Sequence, residues 1–158
     1  MAELTDRQRK RIPIEPGFFT IPDDRSEPPR LLGTKCLECG EHFHPRRRIC
    51  ARCLGDRLQD VELGPDGTLY TYTYVRVPLF GSIRGDAAGY GVGQVDLFEG
   101  PRIQAVLSGG PNDFRIGMPM QLELETLRES QEGDEIVIYR FRPSFSRAPA
   151  APRPELSP

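Results

Sequence analysis

The chain has 158 residues, of which 37% are hydrophobic, with 16 glycines, 16 prolines and a net charge of −2. That length holds one domain, or one small domain with a metal-stapled appendage, and it supports one modest core. No apolar run approaches the roughly 18–20 residues a membrane helix needs, and residues 1–7 lack the apolar stretch of a signal peptide, so a cytoplasmic protein with reduced thiols is expected.

Residues 2–12 are polar and favour helix locally, with Thr5 or Asp6 as N-cap, but they offer too few apolar positions for a firm helix. Pro13, Pro16, Pro22, Pro28 and Pro29 then force an extended, irregular path. Phe18, Phe19 and Ile21 sit inside that path and need cover, either on this subunit or on a partner. Residues 1–33 are therefore read as an N-terminal arm.

All four cysteines of the chain follow, as Cys36-Leu37-Glu38-Cys39 and Cys50-Ala51-Arg52-Cys53. Two such pairs at this separation place four thiolates at the corners of a tetrahedron, the geometry of a closed structural Zn²⁺ site. Without an oxidising compartment, metal is favoured over disulfides; iron in a rubredoxin-like site would use the same ligands. Gly40 and Gly55, after the two pairs, suit the positive φ that such turns often need. His42 and His44 lie between the pairs, where the shell is already complete, and read as surface or packing residues. The ribbon, residues 34–57, is too short for a core of its own, so its fold is expected to depend on the metal.

Charge separates the two halves. From Arg30 to Arg57 there are seven Lys/Arg against three Asp/Glu, a balance of +4, whereas from Leu58 onward nine Arg face 14 acids, a balance of −5. The basic ribbon, with Arg46, Arg47 and Arg48 in a row, can meet an anion or an acidic protein face, or it can simply be solvated.

Beyond the ribbon the periodicity is that of strands. Residues 58–63 read as a short strand or bridge, and Gly64-Pro65-Asp66-Gly67 as a turn. Residues 68–77 are almost wholly β-branched or aromatic, and strict alternation puts Tyr70, Tyr72, Tyr74 and Arg76 on one face, with Leu69, Thr71, Thr73, Val75 and Val77 on the other. A long loop over residues 78–89 carries Phe80, Ile83, Arg84 and Asp86; connections of this length are often functional. Further strands are expected over residues 90–98, 102–107, 121–127 and 135–142, and the Pro/Ala-rich residues 144–158 as a disordered tail. Mostly hairpin-connected, these strands make a small β-barrel over residues 58–143; a five-stranded OB-type closure is the economical one.

The order of motifs resembles a known family. A Cys-x-x-Cys-Gly turn (36–40), a His-Pro-Arg-x-x-Cys-x-x-Cys close (44–53), and a Gly-Thr-x-Tyr-Thr-Tyr strand (67–72) are followed by Glu-Gly-Pro-Arg (99–102), Arg-Ile-Gly-Met-Pro (115–119) and Phe-Arg-Pro (141–143). This is similar to the acyl-CoA-associated OB-fold proteins that carry a rubredoxin-like zinc ribbon. The resemblance implies a small accessory subunit in a hetero-oligomer with a thiolase-like catalytic subunit, or with a related hydratase or aldolase, and a structural Zn²⁺ on Cys36, Cys39, Cys50 and Cys53. The arm and the insertion around Gly81 to Gly91 most resemble small subunits of thiolases acting on aromatic acyl-CoA substrates.

Chemistry of the chain's own is not expected. A thiolase needs a free cysteine nucleophile with a neighbouring base, and the two histidines both fall inside the ribbon loop. The acidic pairs Asp96/Glu99 and Glu123/Glu125 occur on strands and turns, and alternate strand positions make Glu123 and Glu125 a solvated face rather than an acid/base couple. Arg46, Arg47, Arg48 and Arg84 are candidates for the phosphates of a CoA thioester, and Phe80 or Tyr90 for the acyl group or the partner; taken alone, each reads more simply as a surface arginine or a barrel aromatic. Two other readings compete. A single-strand nucleic-acid module would stack bases on the three-tyrosine face, but a barrel with a balance of −5 opposes a phosphate chain. A free acyl-CoA carrier would need more convergent apolar positions than the sequence offers.

Overall fold

The computed structural model describes residues 9–76 and 89–145. The loop residues Phe80 and Arg84, and all of the tail beyond Phe145, lie outside the described residues. Among those described, the elements are all strands: β1 (Arg11–Pro13), β2 (Leu31–Cys36), β3 (His42–Phe43), β4 (Leu58–Leu63), β5 (Asp66–Val75), β6 (Tyr90–Leu97), β7 (Arg102–Leu107), β8 (Pro119–Glu129) and β9 (Glu135–Pro143). No helix among them is long and apolar enough to cross a membrane.

Five of these strands close a barrel. β5, β6 and β7 form an antiparallel meander, β9 follows β7, and β8 pairs with both β9 and β5. The β7–β9 step is parallel and short, Leu107 opposite Phe141, with the Ser108 N–H donating to the Phe141 carbonyl at 2.9 Å. This is the OB-fold order, in which a closed sheet leaves no long unpaired edge. The interior is filled by Leu69, Val95, Leu97, Ile103, Leu107, Met120, Leu122, Val137 and Phe141, with Phe114 inserted from the loop before β8. Burying each such side chain is worth about 1.5–3 kcal/mol before entropy is counted.

The glycines at 91 and 93 are explained by this interior. Both are buried on β6; a Cβ on Gly91 would meet the Phe114 ring at 2.9 Å, and one on Gly93 would meet Leu107 at 2.8 Å. Their missing side chains make room for two large ones.

One feature of β5 departs from strict alternation. The β5–β6 register shifts between Leu69 and Thr71, a β-bulge that leaves Tyr70 outside the ladder. Leu69 is buried and Tyr70 is 48% exposed, and beyond the bulge Tyr72 and Tyr74 turn inward against the core. The three tyrosines therefore do not share a face, and the stacking platform required by the nucleic-acid reading does not form. Tyr72 lies 5.5 Å from Phe114, while Tyr70 lies under the Arg102 guanidinium at 3.2 Å.

The arm packs on its own chain. β1 runs parallel to β9, with Ile12 opposite Ile136, so the described part of the segment read as locally helical is extended. Phe19 bridges to Leu31 and is buried, and Phe18 and Ile21 pack against the same core. Phe19 meets Tyr139 edge-on at 5.6 Å, a geometry aromatic rings favour. β2, β3 and β4 form a separate three-stranded sheet with β2 in the middle. β4 thus belongs to the ribbon sheet, and only Gly64 and Pro65 separate it from β5 of the barrel.

Candidate metal centre

Cys36 ends β2, and Cys39 follows it across a turn closed by the Gly40 N–H donating to the Cys36 carbonyl at 2.9 Å. The second pair repeats this turn: the Leu54 N–H donates to the Cys50 carbonyl at 3.0 Å. The four Sγ atoms lie within 4.8 Å of one another, with Cys36 to Cys53 at 3.6 Å and Cys39 to Cys50 at 3.5 Å. A Zn²⁺ with Zn–S bonds near 2.3 Å requires sulfurs about 3.8 Å apart, so the donor set and its spacing fit this ion. No disulfide joins them.

Backbone groups favour thiolates here. Burial opposes ionisation of Cys50, but the N–H groups of Cys53 and Arg52 point at its sulfur, at 3.5 and 3.4 Å, and its thiol falls to about 7. Cys53 goes the other way: the Gly55 backbone favours its thiolate, yet burial and the neighbouring sulfurs push it up to about 12. Four thiolates this close repel one another, and a divalent cation is what allows them to coexist.

The two turns differ at one position. Gly40 has φ +76°, and its counterpart Leu54 has φ +62°, the sole non-glycine with positive φ among the described residues. Gly55 was expected to supply this conformation; its role is different, since a Cβ there would run into the Glu38 carboxylate. Glu38 in turn pairs with Arg57 at 3.1 Å. A leucine in the left-handed region costs roughly 1–2 kcal/mol, and Leu54 is also 77% exposed.

The remaining candidates are scattered. Arg46 pairs with Asp60 at 3.3 Å, Arg47 lies over the Phe43 ring at 5.2 Å, and exposed Arg48 has no partner among the described residues. Tyr90 starts β6 on the barrel, paired with Val75. His44 stands away from the sulfurs: its Nδ1 lies 3.0 Å from the Leu32 carbonyl, and its ring meets Phe18 at 5.7 Å and Tyr139 at 6.0 Å. It is a packing residue joining arm, ribbon and barrel. The acids singled out in the sequence all have partners: Asp96 pairs with Arg102, Glu99 accepts from the Gly64 N–H, and Glu123 and Glu125, expected as a solvated face, pair with Arg142 and Arg140.

Family models assign both units. The rubredoxin-like zinc ribbon domain of ChsH2 matches residues 27–59, and the C-terminal OB-fold domain of ChsH2 matches residues 60–125. The benzoylsuccinyl-CoA thiolase subunit BbsA of Thauera aromatica is 32% identical over 129 residues, covering 82% of this chain and 86% of that protein. The chain belongs to the ChsH2 (DUF35) family. As a ChsH2-family protein it is also 31% identical over 114 residues to a DUF35 domain-containing scaffold protein of Methanothermobacter thermautotrophicus, covering 71% of this chain and 84% of that one. Among solved structures, the Ltp2-ChsH2(DUF35) aldolase matches with a TM-score of 0.58 and 29% identity, over 72% of this chain and 84% of that chain. The cysteine cluster of this ChsH2-family chain is therefore that of a zinc ribbon, and the chain is thiolase-subunit-like.

Proposed function

We propose that this protein is a non-catalytic subunit of a thiolase-type acyl-CoA enzyme, with a structural Zn²⁺ on Cys36, Cys39, Cys50 and Cys53. The observation that carries this reading is the gathering of all the chain's cysteines at one closed centre. A tetrahedral ion with four thiolates has no open position, and no thiol is left over for the nucleophile a thiolase needs. The relative named as a thiolase subunit supports the class of partner, and the aromatic acyl-CoA substrate rests on the same relative.

The subunit stabilises the complex and helps shape the entrance for CoA and acyl group. Arg48, exposed and unpaired among the described residues, is the best placed of Arg46, Arg47 and Arg48 for an anionic contact, and Phe80, Arg84 and Tyr90 are candidates around the long loop. A second reading of the same class, an aldolase accessory chain, is favoured by the match to the aldolase complex. Affinity purification of the tagged protein from its own cells, with mass spectrometry of co-purifying chains, tests both. A stoichiometric thiolase-type chain is expected; an aldolase or hydratase shifts the partner, and recovery of the protein alone overturns the accessory role.

A further inference from the structure

β8 runs on past the strand that closes the barrel against it. β5 pairs with it only through residues 66–68, opposite residues 119–121, and beyond these β8 pairs with β9 alone. The ladder fixes where each backbone group points. The Leu122 N–H donates to the Pro65 carbonyl at 2.8 Å, and the Ser144 N–H donates to the Pro119 carbonyl at 2.9 Å. Even-numbered residues of this part of β8 therefore aim their backbone groups at β5, and odd-numbered ones at β9. Pro65 has no N–H to return to the Leu122 carbonyl, and β4 before it belongs to the ribbon sheet. The Leu122 carbonyl and both backbone groups of Leu124 thus have no hydrogen-bond partner among the described residues. This short open edge lines a cleft of about 340 Å³, whose opposite wall is residues 25–29 of the arm. Arg11, Arg25 and Arg142 line it together with Glu27 and Glu123, and Arg25 and Arg142 are already paired with Glu135 and Glu123. Its charges select no anion; what it offers is unpaired backbone.

We infer that this cleft takes an extended segment of the thiolase-type catalytic subunit, added as a strand to β8 at Leu124; this rests on the reading given above. An extended chain returns both the acceptor and the donors that such an edge lacks. The incoming residue opposite Leu124 is not proline, since its N–H and carbonyl both pair there. Two copies of this chain would have to join β8 edges that residues 25–29 of each arm already wall off. The chain's own residues 146–158 carry Pro149, Pro152, Pro154 and Pro158, which lack the donors a strand needs. Residues 1–8 are polar, with little preference for a strand.

The test follows hydrogen exchange of single amides in the full-length zinc-loaded protein, alone and bound to the thiolase-type chain recovered with it. In the free protein the Leu124 amide is expected to exchange faster than those of Glu123 and Glu125, which face β9. Binding is expected to slow Leu124 by about tenfold or more. L124P removes the N–H without breaking a ladder bond and is expected to bind about tenfold more weakly. L124A keeps the N–H and is expected to bind nearly as wild type. If wild type recovers no thiolase-type chain, the accessory reading fails and this groove with it. If that chain binds while Leu124 exchanges as before, or if L124P binds as well as L124A, the groove alone is overturned. Slow Leu124 exchange in the free protein would assign the edge to this chain's own segments or to a second copy, and slowing by CoA alone would assign the cleft to a small molecule; either result overturns the proposal.

Discussion

Arg30 and Glu99 hold Gly64 from opposite sides. The Arg30 guanidinium donates to the Gly64 carbonyl, and the Glu99 carboxylate accepts the Gly64 N–H at 3.0 Å. Gly64 is buried and lies between the last ribbon strand and the first barrel strand. Arg30 stands just before the ribbon sheet and Glu99 in the β6–β7 turn, so the two residues fix how ribbon meets barrel.

Removing the acceptor should loosen that joint. E99A leaves a buried N–H unpaired and is expected to cost about 1–3 kcal/mol in urea unfolding. E99Q keeps an oxygen in place and should cost less. Equal stability of E99A and wild type would show that water replaces the carboxylate.

Metal removal should divide the molecule. Binding free energies of structural Zn²⁺ are about 10–16 kcal/mol and count as folding energy. Cys36→Ser, or a strong chelator, is expected to release the ion and melt β2–β4 while the barrel amides keep much of their chemical-shift dispersion. Full zinc content in the C36S protein would refute the four-cysteine site.

Filling the space at Gly93 should strain the barrel. Its added methyl would lie 2.8 Å from Leu107, 3.0 Å from Leu69 and 3.0 Å from the Thr71 carbonyl. The backbone oxygen cannot swing aside, so G93A is expected to lose about 1–3 kcal/mol by overpacking, read as a lowered melting temperature. An unchanged midpoint would mean that β6 shifts freely.

Stability should fall on mild acidification. Burial holds His44 below its ordinary 6.5, outweighing the opposing hydrogen bond to the Leu32 carbonyl. A group with a lowered folded pKa binds fewer protons folded than unfolded. Its contribution is whole above pH 6.5 and is lost as pH falls toward the folded value. His44→Gln should therefore flatten the dependence of unfolding free energy between about pH 7 and pH 5.5, measured on zinc-loaded protein. Parallel slopes for mutant and wild type would remove His44 as the cause.

The cysteine pairs, the Gly64-Pro65 turn and most strand bounds were legible in the chain alone, because each rests on neighbours in sequence: ligand spacing, turn chemistry, alternation. The last two strands ran longer than alternation indicated, to Pro119–Glu129 and Glu135–Pro143: their mutual pairing carries β8 on to Glu129 at the hairpin turn and, at the other end, sets Met120 opposite Pro143.

What needed the tertiary structure are relations between distant residues. Alternation could not foresee the bulge that turns Tyr72 and Tyr74 inward, since the shift arises from pairing with β6. Composition left the cover of Phe18 and Phe19 open, and burial beside Leu31 and Tyr139 decided it. The need for glycine at position 55 depended on where Glu38 sits, since its carboxylate fills the space a Cβ would take. Local chemistry specifies elements; which side chain each element presents is settled only when the elements meet.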